Sequence, residues 1–312
     1  MIACLIALCS PASAAPALAY ITNQGDNTVA VVDLDKNQVI AQLAVGAKPV
    51  GVALAPLAQR AFITNVDGGT VSVIDTRSNA VIAEIPAGQS PVGVAATRDG
   101  TLLYVADWFN NRLLAIEPLT KTVRFEVEAP QAPAGLQLAL DEKRLFVANR
   151  DSNDVTVLDA HTGAILKKIA VGTHPFGLTL SPDGQRLYVV NVWSNNVTVL
   201  DTRTLETIAT IPVGDHPYCA TTNSDGSRLY VSNTRADTLS VIDAKTLQTL
   251  ATVPVGATPE GVAWSAATNR IYIASWMDNE LTVVDAATHQ VIAHIPTGKE
   301  SRAFGQFILE SR

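Results

Sequence analysis

Apolar and polar positions alternate along this chain in short runs, and no stretch keeps a helical period. Segment 49–88 shows the pattern. Residues 49–54 and 60–65 are β-rich runs, 70–75 alternate apolar with polar, and 80–85 do so again. Turn signals separate such runs, as at Asp99-Gly100, Asp183-Gly184 and Asp225-Gly226. At Asp75 to Ser78 and Asp201 to Thr204 an Asp-x-x-Ser/Thr turn lets a carboxylate bond the backbone ahead of it. Four short strands per segment predict a small antiparallel sheet.

The segment repeats. The tetrapeptides starting at Tyr20, Phe62, Tyr104, Phe146, Tyr188, Tyr230 and Tyr272 lie 42 residues apart. Asp33, Asp75, Glu117, Asp159, Asp201, Asp243 and Asp285 keep the same interval. So do glycines at 46, 88, 172, 214, 256 and 298, with Pro130 as the exception. A four-stranded sheet cannot bury both faces alone, so neighbours must stack. Seven of them predict an all-β fold, a seven-bladed β-propeller of four-stranded antiparallel blades. A Pro-x-Gly motif opens the inner strand at Pro49, Pro91, Pro133, Pro175 and Pro259, with Pro217-Tyr218-Cys219 as a variant. The first unit lacks this strand, and Ser301 falls where an eighth copy would begin. Residues 301–309 are therefore expected to complete blade 1 and close the ring, covering an otherwise open edge.

The Tyr-Val-x-Asn tetrapeptide, the strand Thr70-Val-Ser-Val-Ile-Asp75 and the Ile211-Pro-Val-Gly214 ending resemble the YVTN β-propeller repeat family, over essentially the whole chain after the leader. The resemblance implies the fold and leaves the activity open. Propellers of this kind include exported binding proteins, lactonase-like enzymes and haem d1-related proteins.

Composition adds a compartment. Residues 1–14 read as a cleaved export signal: Ile2 to Leu8 is apolar, and Ala12-Ser13-Ala14 offers a small-residue site, although no Lys or Arg precedes the apolar run. That run is too short to span a bilayer, so no transmembrane segment is expected. Residues 15–312 are then one domain, expected to be a periplasmic monomer. Cys4 and Cys9 leave with the signal, so Cys219 stands without an internal disulfide partner. A net charge of −7 disfavours duplex nucleic acid.

Positions alike in every unit serve the scaffold, so candidate chemistry is sought where units differ. After each tetrapeptide come Gln24, Val66, Trp108, Arg150, Val192-Trp193, Thr234-Arg235 and Trp276, and three of the four tryptophans stand there. These loops share a face with the blade-to-blade links. Exposed aromatics on one rim mark a binding surface; the alternative is that each Trp lids the neighbouring blade. Nearer the axis, His174, Phe176, His216, Tyr218, Glu260 and Arg302 make half of the ring polar and aromatic, predicting a funnel-shaped pocket. Glu260 and Arg302 occupy equivalent positions in adjacent units, and either pair with each other or serve a ligand.

The leading expectation is a non-catalytic propeller that binds a small molecule, peptide or periplasmic protein at this rim, with no cofactor. The resemblance supplies two alternatives. One is a lactonase-like hydrolase, for which Glu260 with His216 is the available acid–base pairing. The other is an accessory of periplasmic redox or haem d1 chemistry, with haem or metal at His174 and His216 and Cys219 as a soft third ligand. Both histidines precede proline, which predicts an extended backbone there. Trp–Arg loops also leave single-stranded nucleic acid as an option. No G-x-S-x-G elbow and no phosphate loop is present.

Overall fold

The computed structural model describes residues 16–310, so the expected export signal lies outside the described residues. The strands form seven sheets around one axis. Blade 2 runs outward through Pro49–Ala55, Arg60–Asn65, Thr70–Asp75 and Ala80–Pro86, each antiparallel to the next. Blades 3 to 7 repeat this order. Among the described residues no helix is long and apolar enough to cross a membrane.

The middle strands bury both faces, while the outer strand faces solvent along much of its length. Tetrapeptide heads such as Tyr20, Tyr104, Tyr188, Tyr230 and Tyr272 are fully buried between blades. Polar positions in the third strand are buried too, and they have partners. Asn65 closes its tetrapeptide by donating to Thr70 Oγ1 and Ser72 Oγ, each at 3.0 Å. Asn191 and Asn233 make the same pair of bonds within their blades. The tetrapeptide Asn is thus a cross-strand tie. Its side chain occupies the space beside the linker glycine: a Cβ on Gly46 would stand 2.5 Å from Asn65 Nδ2, and one on Gly214 2.6 Å from Asn233 Cγ.

Blades meet most closely at the Pro-x-Gly glycine. A Cβ on Gly93 would lie 1.7 Å from the carbonyl oxygen of Ala134, and one on Gly135 2.1 Å from that of Phe176. Only a residue without a side chain fits such an approach. Where the tetrapeptide carries Thr or Ser in third place, a hydroxyl fastens the same junction. Thr64 Oγ1 accepts from Gly51 N at 2.7 Å and donates to Val92 O at 2.9 Å, joining blade 2 to blade 3. Ser232 joins blade 6 to blade 7 in the same way.

The C-terminal segment closes the ring. Ile308–Leu309 pairs antiparallel with Leu18–Asn23, Ser301 bridges Asn23, and Tyr20 N donates to Phe307 O at 2.9 Å. Between these contacts the chain also reaches blade 2, where Phe304–Gly305 lies parallel to Pro49–Ala55. Phe307 is fully buried in the core shared by blades 7, 1 and 2.

Two predictions follow from these ties. Phe307→Ala should cost about 3–5 kcal/mol, measured by urea unfolding, and deletion of 301–312 should abolish the cooperative transition. The acidic turns give a pH dependence. Asp201 Oδ1 accepts the backbone N–H groups of Thr204 at 2.7 Å and Arg203 at 2.8 Å, and Asp243 and Asp285 do likewise. Those bonds hold the three carboxyls below their ordinary value of 3.8. A carboxyl depressed in the folded state stabilises it above the unfolded pKa, and this contribution disappears as pH falls through the folded value. The urea midpoint should therefore drop on acidification below about pH 4. The triple variant Asp201→Asn, Asp243→Asn, Asp285→Asn should drop less.

Candidate binding face and axial cavity

The loops after the tetrapeptides and the blade-to-blade links are hydrogen-bonded to one another on one face. Trp108 N donates to Ser90 O, Trp193 N to Thr173 O, and Trp276 N to Thr258 O. The expected extended backbone at the two histidines is not what the structure shows: φ is +54° at His174 and +51° at His216. Lys48, Ala132, Thr258 and Glu300 at equivalent positions are also left-handed. The link must reverse direction to enter the inner strand, and an Asn side chain of the preceding blade locks the reversal. Asn153 Oδ1 accepts from His174 N at 2.9 Å, and Asn195 Oδ1 from His216 N at 3.0 Å.

An arc over blades 3 to 5 brings together four of the candidate residues. The Arg150 guanidinium stands 5.3 Å over the Trp108 ring and pairs with Asp151 at 3.1 Å. His174 Nε2 lies 3.9 Å from the same carboxylate, and its ring stacks on Trp193 at 3.6 Å between centroids. Burial, followed by the Arg150 charge, lowers the His174 pKa, so the imidazole is neutral at pH 7. Trp193 is 59% exposed and Phe109 on the same rim 71%. Trp276 is half-buried beside Met277, which is 61% exposed, and Arg235 is exposed. Trp108 leans inward, 5.9 Å from Phe176. The tryptophans thus divide, with Trp193 presented to solvent and Trp108 packed towards the axis.

At the axis the structure brings Phe176, Tyr218, Glu260 and Arg302 into one packed cluster. Phe176 lies 4.4 Å from Tyr218 and 4.8 Å from Phe304, a residue the sequence pattern did not single out. Arg302 grips both oxygens of buried Glu260, at 2.5 and 2.8 Å, and donates to the Tyr218 hydroxyl at 3.2 Å. Burial alone would lower the Arg302 pKa; Glu260 and Tyr218 hold it up, so the guanidinium stays charged. Desolvation pushes the Tyr218 phenol upward. Where a funnel was expected, these side chains plug the channel. His216 stands apart from the plug, with Nδ1 2.8 Å from Asp215 Oδ1.

Open space lies on the other side of the plug. A cavity of about 550 Å³ runs from Cys219 and Phe304 towards the turns joining first and second strands. At one level of the wall each blade contributes a small or mid-sized residue: Ala53, Ala95, Gln137, Thr179, Thr221, Ala263 and Gly305. Trp264 is half-buried on this wall. The signal was present in the sequence, four residues beyond each Pro of the inner strand, but it is a run of small residues and not a reactive motif.

With this geometry in view, the chain can be set beside known proteins. Residues 208–310 match the YNCE-like beta-propeller family, and residues 117–224 match the cytochrome D1 heme domain. No curated protein matches the chain. Among solved structures, a functionally unknown protein from Desulfotomaculum acetoxidans superposes with a TM-score of 0.81 at 18% identity, covering 94% of this chain and 98% of that one. Kuenenia stuttgartiensis hydrazine synthase gives 0.76 at 21%, covering 86% and 92%. The dihydro-heme d1 dehydrogenase NirN, in complex with DHE, gives 0.70 at 19%, covering 89% of this chain and 63% of that one. These likenesses show the fold. The chain is a seven-bladed β-propeller.

The haem d1 likeness sets a test for the candidate ligands. An axial ligand needs a ring nitrogen or thiolate free to face the iron. His174 Nδ1 is buried without a partner and one face of its ring is covered by Trp193. His216 is bonded to Asp215 through Nδ1, which leaves Nε2 free, whereas burial raises the Cys219 thiol so that it stays protonated. Among the described residues no three His, Cys, Asp or Glu side chains converge as a metal site. His174 and Cys219 as arranged do not fit a coordinated iron, and His216 alone keeps a ring nitrogen free.

The plug has a measurable energetic signature. Arg302→Ala leaves the buried Glu260 carboxylate without its cation and should cost about 3–5 kcal/mol. Replacing both, as Glu260→Gln with Arg302→Met, should cost less than the sum of the single changes in a urea double-mutant cycle.

Proposed function

We propose that this protein is a non-catalytic, exported binding propeller of the YVTN-repeat type, acting in the periplasm as a monomer. Its loop face takes a peptide or protein partner. The observation that carries this reading is Trp193, 59% exposed yet held flat against His174 at 3.6 Å. A large aromatic fixed in place before binding loses little conformational freedom on contact, which is how interface anchors work. Phe109 and Met277 extend the apolar surface, and Arg150, Asp151 and Arg235 supply a polar rim. The plug of Phe176, Tyr218 and Phe304 fills the channel beneath this face, which favours a partner that lies across the rim over a small molecule that enters it.

The cytochrome D1 heme domain match over 117–224 favours a second reading, an accessory role in haem d1 or periplasmic redox chemistry. The partner is then a protein of that system, met through the same face, which needs no iron ligand from this chain. A lactonase-like reaction draws less support. Both oxygens of Glu260 are taken by Arg302, and His216 stands apart from that pair, bonded instead to Asp215.

Site-specific photocrosslinking in the source cells tests the proposal. Benzoylphenylalanine at position 109 should yield an adduct with one protein, and the same group at Leu57, on the opposite face, should not. Trp193→Ala should weaken that complex at least about tenfold with unchanged circular dichroism. Equal adducts from both positions, or an unaltered affinity, would overturn the assignment.

A further inference from the structure

We propose that the axial cavity behind the plug is a second binding site, independent of the partner reading of the loop face, and that it takes a small, uncharged, mainly apolar molecule bearing a hydrogen-bonding group. At about 550 Å³ the cavity falls within the range of roughly 300–1,000 Å³ typical of small-molecule sites. It is formed because six of the seven blades place a short side chain or none at the same level of the inner strand, Gln137 being the exception, while Phe304 and Cys219 floor it.

The chemistry of the wall selects the class of ligand. Charged side chains stand only at the open end, where Arg98 is exposed to solvent and the two acids are engaged. Glu142 accepts from Arg98 N at 2.7 Å, and Glu310 accepts from Ala266 N at 2.7 Å and Ser265 Oγ at 3.2 Å. The interior offers no counter-ion, so a charged molecule entering it would lose hydration without compensation. One side of the wall is nevertheless polar. Gln137, Thr179 and Thr221 stand on consecutive blades, and neither threonine hydroxyl bonds another described group of the protein. The opposite side, from Ala263 through Gly305 to Ala95, offers no polar side chain at this level. A hydroxyl, carbonyl or amide on the ligand would meet the threonines while its apolar body faces Leu136, Leu178, Val262 and Trp264.

The test uses N-phenyl-1-naphthylamine, an uncharged apolar fluorophore with one N–H group, against the full protein. It should bind saturably at one site, and Thr179→Phe, which fills the cavity, should weaken binding at least tenfold while the circular dichroism spectrum is unchanged. The anionic probe anilinonaphthalene sulfonate should bind at least tenfold more weakly than the uncharged one. Equal binding of the two probes would overturn the ligand class. Unchanged binding by Thr179→Phe would overturn the site, as would a signal lost in Trp193→Ala and kept in Thr179→Phe. Should Thr179→Phe fail to fold, energy transfer decides. Trp264→Phe should lower tryptophan-to-probe transfer markedly, and full transfer in that variant would overturn the proposal.

Discussion

Everything in this molecule depends on how closely seven backbones can approach one axis. At the Pro-x-Gly glycine the neighbouring carbonyl stands where a Cβ would be, 2.4 Å away at Gly51 and 2.2 Å at Gly261. Contact at this distance sets the radius of the ring, and the Thr64 and Ser232 hydroxyls fasten it from the second strand. Cys219 and Ala303 take the glycine's place in two blades. Ala303 lies in the closing segment and is anchored by Thr22 Oγ1 at 2.9 Å, so the same hydroxyl joint is used where the chain ends meet.

A fixed radius sorts side chains by level. The residue just before the glycine reaches across the channel, and on blades 5 to 7 and in the closing segment it is Phe176, Tyr218, Glu260 and Arg302. Together with Phe304 they fill the opening. Two residues past the glycine every blade but the fourth, which has Gln137, carries Ala, Thr or Gly, and the channel is hollow. A plug and a cavity are thus two consequences of one spacing. They also separate the faces: nothing bound at the Trp193 rim needs to share space with anything bound beyond Cys219.

Most of the architecture was legible because a strict 42-residue period leaves little freedom. The Glu260–Arg302 pairing was readable for the same reason, since the two positions differ by one period and adjacent blades must bring them side by side. What the period hid were departures from local rules. His174 and His216 precede proline and should be extended, yet the reversal into the inner strand forces both left-handed, with Asn153 and Asn195 holding them there. Phe304 escaped notice because it stands at an apolar position of the period, occupied elsewhere by Val52, Val94, Leu136, Leu178, Ala220 and Val262, and reads as ordinary core. The cavity escaped because a ring of alanines and threonines carries no chemistry of its own until it is arranged around an axis.

The distribution of function over the blades follows from what the scaffold leaves free. Tetrapeptides, glycines and acidic turns are committed in most blades to strand ties, blade contacts and backbone capping. On this face the two residues after each tetrapeptide and the residues flanking each inner-strand proline differ from blade to blade. In blades 3 to 5 these positions hold Trp108, Arg150, Asp151, His174 and Trp193, linked by stacking and charge into one continuous arc. Across blades 6, 7 and 1 they hold Tyr218, Glu260 and Arg302, with Gln24 3.3 Å from Arg302 Nη1, and these turn inward to seal the axis. The same variable positions thus serve recognition on one side of the ring and closure of the channel on the other. An anchor as exposed as Trp193 can be kept rigid because its neighbours in the arc, and not the core, restrain it.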